Sequence, residues 1–172
     1  MKPSQSLTSI MLAAMILVAA CTSGTSYTAQ TDTSAAPTVN TSDDNQQKLE
    51  ANKKLVTDFY QALYGDKDSN AIDKYVADDI KQHNPVLQDG KEWLKNSLRP
   101  FLENPNIEKT KVEIAHIAAD GDLVWLLVKD VAPNGKVFAR VNIFRIENGK
   151  VAEAWKVSEP VPAKSENKNG MF

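Results

Sequence analysis

From about Leu49 onward, apolar positions recur at helical spacing. Asn52, Val56, Phe59, Tyr60 and Leu63 follow the i, i+3, i+4, i+7 pattern and Gly65 supplies a stop, which predicts a helix over Leu49 to Tyr64. A shorter helix is predicted from near Ser69, with Ile72, Tyr75 and Val76 on its buried side. Asp89 and Glu92 have capping-box spacing ahead of a third helix, which would bury Trp93 or Leu94, Leu98 and Leu102, with Pro100 ending or kinking it. After Pro105 the period falls to two. Strands are predicted at Lys111–Ala118, Leu123–Val131, Val137–Ile146 and Val151–Val157, with turns at Asp120-Gly121, Asn134-Gly135 and Asn148-Gly149. Helices followed by an antiparallel meander define an α+β order.

The last turn carries the most information. Asn-Gly between alternating apolar runs favours a type I′ hairpin, because both central residues need positive φ. A plain two-residue turn pairs Ile146 with Val151, Phe144 with Glu153 and Asn142 with Trp155, all on one face that Phe138 joins by alternation. A mostly apolar face holding a few polar groups is how ligand pockets are usually lined. A bulge instead would move the register by one and let Lys156 exchange places with Trp155.

These residues also carry a family resemblance. The run IFRIENGKVAEAWKV with Pro160 and the terminal NGMF, together with Gln82-His83-Asn84-Pro85 and Asp89-Gly90, resembles the SnoaL-like proteins. These belong to the nuclear transport factor two superfamily, which includes polyketide cyclases and ketosteroid isomerase. The resemblance runs from about Leu49 to Phe172. It implies a cone-shaped α+β barrel, in which three N-terminal helices pack in a strongly bent antiparallel sheet around a cavity. It also implies cofactor-free chemistry and a homodimer.

Relatives commonly read Asp-Ile-Phe-Arg and then Glu-His-Trp-Asp, where this chain has Asn142-Ile143-Phe144-Arg145 and Glu153-Ala154-Trp155-Lys156. Two carboxylates and an imidazole of the family pattern are replaced. Neither Asn142 nor Ala154 can transfer a proton as Asp and His do.

The N-terminus has a different character. Met1 to Ala20 has a lysine at position 2 and an apolar run from about Leu7 to Ala20, the pattern of a secretory signal, and the run is short for a membrane span. Val18-Ala19-Ala20-Cys21 looks like a bacterial lipobox, with Cys21 lipidated; an ordinary signal peptide with a chance cysteine is the alternative. Cys21 is the only cysteine in the chain, so no internal disulfide can form. Residues 21–47 are rich in Thr, Ser, Ala, Asp, Asn and Gln and are expected to form a flexible tether to a domain over 48–172. The expected address is the bacterial cell envelope, lipid-anchored, on the periplasmic side of a membrane. With 172 residues, 42% hydrophobic composition and net charge −2, the chain suits one domain plus tails and offers no basic surface for nucleic acid.

Candidate chemistry is sparse. His83, in a loop between helices, could exchange a proton with a ligand oxygen or shape its loop. Glu153, the only carboxylate on the expected pocket face, could act as acid or base, its pKa raised if desolvated, or could pair with Arg140 or Arg145. These two are the candidate catalytic residues. Asn142, Phe144, Trp155 and Tyr60 are the candidate ligand-binding residues, with Asn142 able to orient a carbonyl or hydroxyl. His116 reads as a satisfied sheet histidine. Two histidines without helical spacing make a poor metal site, so none is expected. Two functions remain in view: a binding module for a small apolar molecule or a protein partner, and a cofactor-free cyclase or isomerase acting on a carbonyl substrate.

Overall fold

The computed structural model describes residues 41–132 and 134–172. The expected signal peptide over residues 1–20, the candidate lipidation residue Cys21 and the expected tether up to residue 40 lie outside them. Among the described residues no helix is long and apolar enough to cross a membrane.

Helix α1, Thr41–Tyr60, continues into a single wide turn, Gln61–Gly65. Residues 41–47, expected in the tether, are thus helical. The expected stripe is the buried one: Asn52, Val56, Phe59, Tyr60 and Leu63 are each less than 10% exposed. The wide turn is pinned to the chain entering the sheet. Gln61 Nε2 donates to Thr110 O at 3.1 Å, Val112 N donates to Gln61 Oε1 at 2.9 Å, and Thr110 N donates to Gly65 O at 2.9 Å. A side chain at position 65 would meet Thr110 O at 2.5 Å, so only glycine fits there.

Helix α2 is short, Ala71–Tyr75, and its expected continuation is instead strand β1, Val76–Gln82. Val76 and Ile80 are buried, but Asp78 between them, which regular alternation would also bury, is exposed, so no period-two pattern marks the strand. The alternation breaks where β1 pairs irregularly with the last strand: five residues separate Val76 from Lys81, while their partners Val151 and Glu153 are two apart.

Helix α3, Lys91–Leu102, runs through Pro100, with Leu94 buried and Leu98 and Leu102 packed on the core. Its expected capping box is absent. Gly90, at φ 91°, holds the N-cap position, and Asp89 Oδ1 instead accepts from Gln82 N at 2.7 Å.

Strands β2 Glu113–Asp120, β3 Leu123–Val131, β4 Val137–Glu147 and β5 Lys150–Pro160 form the antiparallel meander, and β1 adds parallel to β5, giving the order β1-β5-β4-β3-β2. This curved five-stranded sheet closes over α1, and Val124, Leu126, Val128, Phe144, Ile146 and Val151 join the helix stripe in the core. The molecule is therefore an α+β cone. Beyond Pro160 the chain is mostly exposed.

Candidate functional site

The site depends on the β4–β5 hairpin. Asn148 at φ 50° and Gly149 at φ 69° form the positive-φ turn, with Glu147 opposite Lys150 and Ile146 opposite Val151. A bulge at Ala152 then shifts the register. Glu153 faces Arg145 rather than Phe144, and Trp155 faces Ile143 rather than Asn142. Ala154 now lies opposite Phe144 and Lys156 opposite Asn142. The physical reason is the carboxylate. Without the bulge, Glu153 would enter the core beside Phe144, where an unpaired charge is costly; with it, the small Ala154 fills that place.

Glu153 and Trp155 consequently lie on the convex side of the sheet, where they meet His83. His83 Nε2 is 3.0 Å from Glu153 Oε2, and the imidazole stacks on the Trp155 indole. Arg145 completes the group: its Nε lies 3.3 Å from Glu153 Oε1, and its Nη1 donates to both oxygens of Asp122 at 2.8 and 2.9 Å. The hydrogen bond from His83, then the Arg145 charge, hold the Glu153 carboxyl below its ordinary value, the reverse of the rise expected from burial in a pocket. The candidate pair His83 and Glu153 is thus brought together, but on the face opposite Asn142 and Phe144.

Inside the cone lies a cavity of about 60 Å³. Phe59, Leu63, Ile80, Leu94, Phe144 and Val151 give it apolar walls, and Asn142, Tyr64 and Lys156 give it polar ones, with Trp155 also bordering it. Two or three water-sized groups fit in such a volume, far less than the roughly 300–1,000 Å³ of a drug-sized ligand site. A larger groove of about 540 Å³ between α1 and β2 is open, and the Gln61 within it already has its amide engaged.

The polar wall is an ordered set. Asn142, 6% exposed, donates through Nδ2 to the Tyr60 hydroxyl at 3.3 Å. Tyr60 packs on Tyr64 with ring centroids 4.6 Å apart and planes tilted by 46°, and meets Phe144 edge-on at 6.4 Å. Burial raises the Tyr60 phenol well above its usual range and pushes Tyr64 up to about 12, so both stay protonated as donors near neutral pH. The Lys156 amine is displaced the other way, lowered by desolvation and by the neighbouring Arg140, although the residue as a whole is exposed. Arg140 pairs with Asp130 at 2.7 Å.

Of the four candidate ligand-binding residues, Asn142 and Phe144 line the cavity, Trp155 borders it from the far face, and Tyr60 acts on it through Asn142. Lys156 is the residue that the plain hairpin register missed; the bulge alternative pointed to it. His116 is exposed on β2, opposite Leu127. No group of three His, Cys, Asp or Glu side chains able to hold a metal occurs among the described residues.

A bent sheet closed over a long helix, with a cavity between, defines the nuclear transport factor two-like class. Residues 56–154 match the model of the SnoaL-like domain, more than half of the chain, and the chain belongs to that family. Solved structures agree on the fold. A protein of this class from Mesorhizobium loti matches at TM-score 0.55 and 15% identity, over 65% of this chain and 93% of its own. An LEH-like epoxide hydrolase from Mycobacterium tuberculosis matches at 0.53 and 17%, over 65% and 85%. A candidate polyketide cyclase from Acidithiobacillus ferrooxidans matches at 0.51 and 14%, over 63% and 88%. No curated protein matches this chain.

Proposed function

We propose that this chain is an envelope-anchored binding module, which takes a small, largely apolar molecule into the cone and holds its polar end with Asn142 and Lys156. The observation that carries this reading is the separation of the two faces. The cavity wall holds hydrogen-bonding groups but no carboxylate or imidazole among its lining residues. Its tyrosines are locked in their neutral form by burial. Proton transfer needs a group that can gain and lose a proton beside the substrate, and the two candidates for it, His83 and Glu153, sit on the opposite face beside Trp155.

The size of the cavity restricts the ligand. A space of about 60 Å³ admits a molecule of a few heavy atoms, or the end of a longer one that projects through the mouth. Ring systems of the polyketide or steroid kind need several times that volume.

The test is amide NMR of the full chain titrated with short aliphatic alcohols. Shifts concentrated at Leu94, Asn142, Phe144 and Ala154, and abolished in Ala154→Leu, are the expected result. Shifts spread over the surface, or unchanged by Ala154→Leu, would overturn the reading.

A second reading, proton transfer on a carbonyl compound, has one observation in its favour: His83 and Glu153 form a hydrogen-bonded acid/base pair at 3.0 Å. It requires a substrate that docks on the convex face. Turnover of a carbonyl compound that survives both His83→Ala and Glu153→Gln would exclude it.

A further inference from the structure

Beside the cavity, past its lining residues Asn142 and Lys156, the sheet carries more positive charge than it neutralises. Arg140, Asn142 and Phe144 alternate along β4 toward the interior, and β5 places Ser158 opposite Arg140 and Lys156 opposite Asn142. On the neighbouring strand Asn142 lies opposite Lys156, with Arg140 two residues earlier on β4; Arg140 pairs with Asp130 of β3, and Asn142 bonds to Tyr60 of α1, which packs against Tyr64. Arg140 and Lys156 are two cations, and Asp130 is the one carboxylate among these groups. It is committed to Arg140 Nη1 at 2.7 Å. Lys156 has no ion-pair or hydrogen-bond partner among the described residues.

Arg140 supplies the independent observation. Its side chain is 22% exposed, and its Nε is buried with no hydrogen-bond partner, the one such side-chain atom among the described residues. A buried charged donor left unpaired is costly, and in a native protein it usually marks a place where a solvent molecule or an ion belongs.

We infer that this corner of the cone, between Tyr60, Arg140, Asn142 and Lys156, is a carboxylate site that seats a short-chain organic acid with its aliphatic part in the cavity. The inference rests on the binding-module reading and names its ligand class. The charge selects a monoanion: one carboxylate balances the single uncompensated cation, whereas a phosphate dianion would leave net negative charge beside Asp130. The apolar walls select a hydrocarbon tail, and their volume of about 60 Å³ keeps it short. The downward displacement of the Lys156 amine fits the same account, because a carboxylate beside it opposes that displacement and favours the charged form.

The experiment compares butyrate with its neutral isosteres butyramide and 1-butanol, titrated calorimetrically into the full chain. Butyrate is expected to bind about tenfold or more tightly than either, since a hydrogen bond to a charged group outweighs one to a neutral group by about that factor. The preference should collapse in Lys156→Gln, return in Lys156→Arg, and weaken in the parent as pH rises through the lysine's deprotonation. Lys156 is exposed enough for both variants to fold, and Arg140→Gln at a second position supports the assignment if it removes the preference too. Equal binding of butyrate and butyramide, or a preference untouched by Lys156→Gln, overturns the carboxylate site while leaving the cavity reading intact. Binding of none of the three probes overturns both.

Discussion

The imidazole of His83 lies flat on the indole of Trp155, with ring centroids 4.3 Å apart and 1° between the planes. The stack joins the loop after β1 to the edge of β5, and it directs His83 Nε2 toward Glu153. Arg145 reaches the same carboxylate from β4 and approaches the Trp155 ring to 5.8 Å. Aromatic and ionic contacts here converge on one point of the convex face, which makes Glu153 an anchor for the parallel β1–β5 pairing.

That role is readable in pH dependence. The Glu153 carboxyl titrates lower in the folded chain than in the unfolded one, first because of His83 and then because of Arg145. A carboxylate with a depressed folded value stabilises the fold above its unfolded pKa, about 4.3, and that contribution is lost as pH falls through the folded value. Glu153→Gln should therefore melt lower than the parent at pH 6 and approach it near pH 3. Thermal melts across that range check this; a gap of constant size would sink the assignment.

Tyr60→Phe removes the hydroxyl that accepts from Asn142 Nδ2. Asn142 is 6% exposed and would keep an unpaired buried donor, at a cost of about 1–3 kcal/mol. Urea denaturation measures it. A loss below about 0.5 kcal/mol would mean that water replaces the hydroxyl and that the cavity is wetter than its lining implies.

The bulge at Ala152 makes a prediction about deletions. Removing Ala152 leaves Val151 opposite Ile146 and Glu153 opposite Arg145, so every later side chain keeps its face. Removing Ala154 instead cancels the bulge: Trp155 and Lys156 keep their partners Ile143 and Asn142, but Glu153 falls opposite Phe144 in the core. The first deletion should fold with a modest loss, on the order of 1–2 kcal/mol; the second, which buries an unpaired carboxylate, should lose about 3–5 kcal/mol. Circular dichroism melts of the two distinguish them, and equal damage would show that the register is not set by the bulge.

The proposed anchor is tested at Cys21. Cys21→Ser should leave the chain in the soluble fraction after cell lysis, whereas the parent sediments with membranes. Unchanged sedimentation would remove lipidation from the proposal.

Several elements could be read directly from local signals. The α1 stripe follows from helical spacing, and Asn52, Val56, Phe59, Tyr60 and Leu63 are all buried as the spacing requires. Asn148 and Gly149 adopt the positive φ angles that Asn-Gly favours. Both outcomes depend on neighbours within a few residues, which a single sequence displays. Strand β1 escaped because its pairing with β5 is irregular, and no local period records a partner some seventy residues away. The capping box at Asp89 failed for a related reason: Asp89 Oδ1 was claimed by Gln82 N across the loop instead of by its own helix.

The candidate site divides along the same line. Sequence alone determined which residue types the cone would offer: Asn142 where relatives commonly carry Asp, Ala154 where they carry His, and Lys156 where they carry Asp. It also put His83, Glu153 and Trp155 forward together. Only the tertiary structure decided which face each would occupy, because one extra residue at Ala152 inverts the alternation of everything after it. That choice is made by the free energy of burying a carboxylate against that of pairing it with Arg145 and His83. Both partners come from other strands and loops, so the balance exists only once the sheet has formed.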